Sequence, residues 1–260
     1  MFLRWFFPCF LVVCFGCNTL PSEHLQTFQN ALSAFDAEDY PLSINLYQQL
    51  LKDGVRSGAV YYNLGNAYVK ADKPLHAIAT YYLARRYTPN DPHLNANLLA
   101  VLTDNGGLPP SAENSLIDSL LFWQNSVGLN AKMWGALLLA TSTFVLGGIH
   151  LFRQFPLLKR CFIASAMLTV IALVSVGYDW YRYDGVEQVI VAQGGVPRKG
   201  NSEEYLPTFV SPVPFGTRAV ILDERGGWYL LRFSNGQEGW LPQSQMIRVR
   251  ETMRYMDAKT

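Results

Sequence analysis

The side chains that could perform chemistry in this chain are few and lie far apart. Nucleophilic catalysis needs a nucleophile, a base and a group that orients the base, and a metal site needs several ligands close together. The four histidines are His24, His76, His93 and His150. The sequence has no HExxH motif, no Walker-type glycine loop and no Gly-x-Ser-x-Gly motif. It therefore predicts a protein that is not an enzyme and that uses no cofactor or metal.

Charge and composition exclude a nucleic-acid partner and favour a membrane protein. The formal net charge is +1, so no excess of Lys and Arg exists to neutralise phosphates. Hydrophobic residues make up 50% of the chain and charged residues only 16%, which is more apolar than an average soluble protein. Of the cysteines, Cys9, Cys14 and Cys17 crowd near the start and Cys161 lies in an apolar run, so no pair remains to cross-link a folded domain.

Residues 1–17 have the layout of a signal peptide. Arg4 precedes an apolar stretch, and Cys14 and Gly16 are small residues at the minus-three and minus-one positions of a cut after Gly16. That cut would make Cys17 the first residue of the mature chain, so Cys17 is a candidate for lipidation. Three alternatives stay open here: cleavage without a lipid, lipidation of Cys17, and an uncleaved anchor.

A period of 34 residues runs through residues 24–106 and predicts stacked pairs of helices. The residues that recur at this distance are Ala31 and Gly65, Ser43 and Ala77, Ile44 and Ile78, Tyr47 and Tyr81, and Leu50 and Ala84. In the second unit, residues 58–91, small residues fall where two helices must approach and tyrosines fill the space between them. This unit resembles the tetratricopeptide (TPR) family, which implies an all-α repeat domain. Leu94, Leu98 and Leu102 fall on one face and predict a closing helix over residues 91–104.

Two apolar runs, 133–152 and 161–178, are each long enough to cross about 30 Å of hydrocarbon. We expect two transmembrane helices within 131–179, preceded by a linker, 107–130, that contains an interfacial helix. The loop 153–160 between them has basic residues and no acidic one, so the positive-inside tendency places it in the cytoplasm. The chain is thus predicted to be a multi-pass protein of the bacterial inner (cytoplasmic) membrane, with both flanking domains in the periplasm.

Residues 184–250 contain short strand-like segments separated by Gly, Asn and Pro turns, and a tail follows at 251–260. Asn235-Gly236 predicts a tight hairpin turn. The pattern GGW…NGQEGWLP resembles the bacterial SH3-like (SH3b) family. The predicted fold class is therefore a multidomain membrane protein with all-α TPR helical repeats, two transmembrane helices and a C-terminal all-β SH3-like barrel.

The order of these parts, with the strings YYNLGNAY and AIATYYLARRYTPNDPHLNANL, resembles the BatE-like proteins, the TPR component of bacterial aerotolerance (Bat) operons. This resemblance implies membership of an envelope complex with von Willebrand A-type membrane proteins and a MoxR-type ATPase.

Two surfaces are predicted to bind partners. In TPR arrays the first helix of each pair lines a concave groove that can hold a peptide. The residues placed in this groove are Tyr62, Asn63, Asn66, Val69, Lys70 and Asn97, although the tyrosine and Asn63 could instead satisfy neighbouring helices. In the SH3-like domain, Trp228, Tyr229 and Tyr205 are the candidates for an exposed aromatic surface. Trp240 is expected to lie in the core, with a place on this surface as the alternative.

These patterns favour a non-enzymatic scaffold that holds protein or peptide partners in an envelope or oxidative-stress tolerance complex. A second hypothesis is a tether or sensor whose SH3-like domain binds peptidoglycan. A third is a cell-wall hydrolase, because SH3-like domains often accompany enzymes with a Cys and His pair. For that chemistry, the exported part offers only Cys17, beside the cleavage point.

Overall fold

The computed structural model describes residues 22–108, 122–153, 155–192 and 195–249. These residues form a helical module, two long apolar helices and a five-stranded antiparallel sheet. The predicted signal peptide with Cys17, residues 109–121 of the linker with the first part of the predicted interfacial helix, and the C-terminal tail lie outside the described residues.

The helical module consists of five helices, and their ends recur along the chain. The helices are α1 (Ser22–Asp36), α2 (Tyr40–Lys52), α3 (Gly58–Lys70), α4 (Pro74–Arg85) and α5 (Pro92–Asp104). The ends of α1, α3 and α5 are 34 residues apart, which is the period of the sequence. The closing helix predicted over 91–104 is α5.

Short polar side chains fix where these helices begin. Asp39, Ser57 and Asp91 accept hydrogen bonds from backbone N–H groups in the first turns of α2, α3 and α5. Within the helix pairs, the turn residues Glu38 and Asp72 have positive φ angles of 61° and 55° and lie at the same position of the repeat. A non-glycine residue adopts this conformation only at a cost, so its recurrence indicates that helix packing dictates both turns.

The core of the helical module lies where the repeat predicted it. Tyr61, Leu64, Tyr68, Ile78 and Tyr81 are all buried, as are the small residues expected at the helix contacts. Gly65 shows why a small residue is needed, because a Cβ atom there would lie 2.4 Å from Cε1 of Tyr81. The aromatic ring occupies the space that a larger side chain on α3 would need.

Two long helices form an antiparallel pair, here called the apolar hairpin. A short helix α6 (Phe122–Ser126) leads into α7 (Leu129–Phe152), and α8 (Pro156–Trp180) continues into a π-helical turn (Tyr181–Gly185). By length and composition, both long helices could cross a membrane. The 24 residues of α7 extend for about 36 Å. Most of the large apolar side chains of both long helices are exposed in the structure, including Leu138 and Phe144 of α7 and Leu173 of α8.

The apolar hairpin is longer than the uncharged runs that predicted it. Helix α7 begins four residues before Met133 and includes Lys132, and α8 extends past Tyr178 to include Asp179. Between the helices, Thr143 Oγ1 lies 2.8 Å from Ser165 Oγ and 2.9 Å from Thr169 Oγ1. These hydroxyl contacts join the two helices at mid-length.

The sheet follows the five predicted segments. Its strands are β1 (Gln188–Val191), β2 (Arg218–Arg225), β3 (Trp228–Phe233), β4 (Glu238–Pro242) and β5 (Met246–Arg248), in the spatial order β4-β3-β2-β1-β5. A long loop connects β1 to β2, and a 3₁₀ turn (Gln243–Gln245) precedes β5. Within the long loop, Arg198 exchanges backbone hydrogen bonds with Trp240 of β4, with N···O distances of 2.9 and 2.8 Å.

The turn between β3 and β4 differs from the two-residue turn that Asn235-Gly236 predicted. The N–H of Gly236 bonds to the carbonyl of Phe233, and the N–H of Phe233 bonds to the carbonyl of Gln237. Only Gly236 has a positive φ, at 78°, whereas the expected turn needs positive φ at both positions. The hairpin therefore closes through a three-residue loop in which glycine takes the left-handed position.

The helical module and the sheet share one hydrophobic core. Ile190 of β1 and Val249, just after β5, are buried in the same cluster as Ile78, Tyr82 and Leu102 of the helices. The guanidinium of Arg218 in β2 lies 4.9 Å from the ring centroid of Tyr82. The neighbours of Ile190, Val189 and Val191, face a second cluster inside the sheet. One face of strand β1 therefore packs against the helices, and its other face packs in the hydrophobic core of the sheet.

Candidate partner-binding surfaces

A polar cluster links α3, α4 and α5 on the predicted groove. Asn97 Nδ2 donates to Tyr62 Oη at 3.1 Å and to Asn66 Oδ1 at 3.0 Å. The hydroxyl of Tyr81 donates to the same Asn66 oxygen at 2.7 Å. Three of the predicted groove residues, Tyr62, Asn66 and Asn97, are thus brought together and serve as hydrogen-bond partners for one another. For Tyr62 this is the alternative role that the sequence left open.

The other predicted groove residues have side chains with room for a ligand. Val69 and Lys70 are exposed at the end of α3, and Asn63 is half-buried. Asn63 stands at the repeat position of Asn97, yet within the described residues its amide makes no hydrogen bond. One repeat earlier, the positions of Tyr62 and Asn66 are occupied by Phe28 and Leu32, which offer no polar partner. Asn63 therefore keeps both donor and acceptor capacity for a peptide backbone.

Buried tyrosines next to the groove act as neutral donors and acceptors. Burial raises the pKa of Tyr61, Tyr68 and Tyr81 above the ordinary value, so these hydroxyls remain protonated at neutral pH. Tyr68 accepts a hydrogen bond from Gln48 Nε2 at 2.7 Å, which joins α3 to α2. The polar groups beside the groove are consequently fixed in position.

One face of the sheet carries two tryptophans. Trp228, Leu230, Trp240 and Pro242, here called the tryptophan face, alternate with the buried residues of β3 and β4. Trp228 is opposite Pro242 and Leu230 is opposite Trp240, so the four side chains are neighbours across the strands. Both tryptophans are half-buried, and the guanidinium of Arg225 lies 5.9 Å from the Trp240 ring.

The structure corrects two expectations about these aromatic residues. Tyr229 is only 5% exposed and accepts hydrogen bonds from Arg248, because β3 turns this side chain toward the core. It cannot belong to an exposed surface together with Trp228. Trp240 is half-buried on the opposite side of β4 from the core residue Leu241, instead of lying in the core. Tyr205 is 51% exposed, and its ring packs against Gly200 within its own loop.

A buried polar cluster at the open end of the apolar hairpin was not predicted. Lys132 Nζ lies 2.6 Å from Asp179 Oδ2, and the two side chains are only 5% and 7% exposed. Gln124 Nε2 donates to the other Asp179 oxygen at 2.7 Å, and the hydroxyl of Ser175 donates to Gln124. A basic residue just before the first apolar run and an acidic residue just after the second are the signal that could have indicated it. An antiparallel pair brings those two positions together.

The same end of the hairpin is attached to the helical module. The N–H of Leu129 donates to the carbonyl of Arg86 at 2.9 Å, and Arg86 Nη2 lies 2.7 Å from Asp184 Oδ2 beyond α8. Its guanidinium also lies 5.1 Å from the ring centroid of Tyr183. Arg86 therefore joins the end of α4 to the start of α7 and to the turn after α8, which lie together at the open end of the hairpin.

Within the described residues, no three His, Cys, Asp or Glu side chains lie close enough together to hold a metal ion. Comparisons of this chain with models of protein families, with curated proteins and with solved structures found no match.

Proposed function

We propose that the chain is a non-enzymatic, membrane-anchored scaffold that binds protein or peptide partners through its helical module and its sheet. The observation that carries this proposal is the junction at Arg86. Both modules emerge from the same end of the apolar hairpin and pack on each other there. A hairpin in the bilayer would then present both binding surfaces on one side of the membrane.

The proposed membership of known fold families has support from the repeat and from the strand order. Helices whose ends recur every 34 residues, with buried small residues at their contacts, are what a TPR array requires. The order β4-β3-β2-β1-β5, with a long first loop and a 3₁₀ turn before β5, suits an SH3-like domain. The resemblance to the BatE-like proteins then implies that the partners include von Willebrand A-type membrane proteins of a Bat-type envelope complex.

The proposed orientation places both modules in the periplasm of a bacterium. Arg153, Lys159 and Arg160 lie at the closed end of the hairpin, and a basic loop is retained in the cytoplasm. In the test, protease is added to spheroplasts, and we expect it to degrade the helical module and the sheet. Protection of both modules from protease would contradict this orientation.

The proposed mode of recognition is an extended peptide in the groove of the helical module. The Asn63 amide would bond the peptide backbone, and Lys70 would pair with a carboxylate. The surface is short, so binding gains from the high effective concentration of partners in the same membrane.

Affinity purification of the intact chain in detergent tests this mode, with the captured proteins identified by mass. The double substitution Asn63→Ala/Lys70→Glu should remove the specific partner. The matched control is Lys73→Glu, which reverses an exposed charge in the turn after α3. Equal capture by all three proteins would exclude the groove as the binding surface.

A second candidate function is a tether that binds peptidoglycan, and the tryptophan face favours it. Aromatic and proline side chains on a half-exposed strand face can hold an extended peptide. Ile190 and Val249 of the sheet are buried against the helices, so removal of the helices would expose them. Retention on insoluble cell wall is therefore best measured with the intact chain in detergent. Retention that Trp228→Ala abolishes, and Tyr205→Ala preserves, would favour the tether over the scaffold.

A further inference from the structure

A cavity of about 1030 Å³ lies where the helical module, the open end of the apolar hairpin and the loop before β2 meet. Its charged lining residues are Arg85 and Arg86 of the α4 end, Lys132, Asp179 and Arg182 of the hairpin, and Arg218 of β2. Phe209 and Val210 of the loop add apolar wall. A space of this size suits a small ligand rather than a folded partner.

The wall of this cavity has more positive charge than its own acidic residues can neutralise. Asp179 is the sole acidic residue among the described residues that line it, and its carboxylate is paired with Lys132. Within the described residues, no carboxylate pairs with Arg85, Arg182 or Arg218. Among the described residues, three guanidinium groups therefore face one cavity without a counter-ion.

The surroundings of these arginines leave them available to an anion. Arg182 donates to the neutral amide oxygen of Asn125 at 3.1 Å, and Arg218 stacks on the Tyr82 ring. Both side chains are partly buried, so they are held in place at the wall. Guanidinium groups fixed in this way match the geometry of phosphate oxygens.

Arg86 supplies an independent indication that this region lacks negative charge. Its side chain is only 9% exposed, and its Nε–H is buried with no hydrogen-bond partner in the described residues. A buried donor of a charged group is costly to leave unpaired. An anion in the cavity that Arg86 lines would offset this cost through its negative charge, without a bond to the buried Nε atom.

The cavity lies at the depth where lipid headgroups would be found. Trp134 is two residues from Lys132, Trp180 follows Asp179, and Tyr181 comes next. These three aromatic side chains are 61 to 65% exposed around the open end of the hairpin. Tryptophan and tyrosine at such positions mark the interface between hydrocarbon and water.

We propose that this cavity binds the phosphate of an anionic phospholipid headgroup, with Arg85, Arg182 and Arg218 as its ligands. The lipid comes from the leaflet beside the two modules, and its acyl chains leave along the exposed apolar side chains of the hairpin. The inference rests on the proposed function in one respect, because it requires the hairpin to lie in a bilayer.

The test uses the full-length chain in nanodiscs of phosphatidylglycerol and phosphatidylcholine. The lipids retained on the protein after release from the disc are counted by native mass spectrometry. We expect phosphatidylglycerol to exceed its share of the disc lipid. Arg85→Gln/Arg218→Gln should lower this retention about tenfold, since charge-assisted bonds to phosphate are lost. The double substitution Arg85→Lys/Arg218→Lys keeps the charge, so most of the phosphatidylglycerol retention should remain.

Arg56→Gln is the matched control, because Arg56 is exposed and does not line the cavity. Retention of the two lipids in proportion to their share, or an equal loss in the Arg56→Gln variant, would overturn the inference. Thermal stabilisation by inorganic phosphate, without enrichment of phosphatidylglycerol, would show a free-anion site and overturn the lipid source. A chain that enters the discs without selecting lipid refutes this inference alone. A chain that does not enter them also refutes the membrane anchor.

Discussion

Tyr47 and Tyr81 occupy the same position in successive repeats, but their hydroxyl groups have different surroundings. Both side chains are buried. The hydroxyl of Tyr81 donates to Asn66, whereas that of Tyr47 has no hydrogen-bond partner in the described residues. A buried polar atom without a partner lowers stability, and a satisfied one raises it. The pair therefore offers an internal comparison of the same chemical change.

We expect Tyr47→Phe to leave the free energy of unfolding unchanged or raise it by about 1 kcal/mol. Tyr81→Phe should lower it by about 1 kcal/mol, because the oxygen of Asn66 loses the hydrogen bond that this hydroxyl donates. Chemical denaturation of the full chain in micelles, followed by near-ultraviolet circular dichroism, measures both. Equal losses in the two variants would show that the hydroxyl environments are the same in solution.

His76 makes the stability of the helical module depend on pH. Burial, with a smaller contribution from Lys73, lowers the pKa of its imidazole in the folded state below 6.5. The unfolded chain then binds the proton more readily, so this contribution is complete above about pH 6.5. It is lost as the pH falls from there through the folded pKa. The ring packs on Tyr68 with centroids 5.2 Å apart, which places the effect at the contact of α3 and α4.

The expected result is a melting temperature that falls between pH 7 and pH 5 more steeply in the wild type than in His76→Gln. Carboxylates titrate in both proteins, so the difference between the two profiles isolates the histidine. Parallel profiles would mean that the imidazole is solvated as well in the folded chain as in the unfolded one.

At the scale of elements, the pair of Lys132 and Asp179 holds the open end of the apolar hairpin together. Asp179→Asn leaves Lys132 buried without its counter-charge and should destabilise the hairpin by about 3–5 kcal/mol. The double substitution Lys132→Met/Asp179→Leu removes both charges and should recover most of that loss. Unfolding in mixed detergent micelles measures both effects.

Thr143→Val is the comparison for an ordinary polar contact in the same hairpin. It removes the hydroxyl that lies between Ser165 and Thr169 and should cost only about 0.6 kcal/mol. A loss in Asp179→Asn no larger than this would mean that water solvates the ion pair.

At the scale of the whole molecule, the shared core predicts that the helices and the sheet lose structure together. Ile190→Ala should destabilise both modules by about 2–5 kcal/mol, because its side chain is fully buried among the helices. Val191→Ala, one residue further on, removes a buried side chain from the sheet's own core. Hydrogen exchange of the α4 amides measures this coupling: Ile190→Ala should reduce their protection, and Val191→Ala should also reduce it, because the sheet and the helices lose structure together. Independent modules would show no loss in α4 for either variant.

Local sequence patterns predicted the helices and strands. They could not predict the contacts between elements that are distant along the chain. Gly65 and Tyr81 were predicted correctly because a repeat fixes which residues meet across neighbouring helices. The bond between Asn66 and Asn97 depends on the rotation from one repeat to the next, which spacing alone does not provide. Ile190 belongs to an ordinary strand pattern, and nothing in that pattern says that a helix covers one face. The contact of Lys132 with Asp179 requires the register of the hairpin.

The backbone bonds between Arg198 and Trp240 decide how a partner can approach the sheet. They occupy the outer hydrogen-bonding groups of β4 at this point, so an incoming chain cannot simply extend the sheet there as a further strand. Specificity on that side must come from side chains and their shapes. The same bonds cover part of a strand edge through which copies of the protein could otherwise pair with one another.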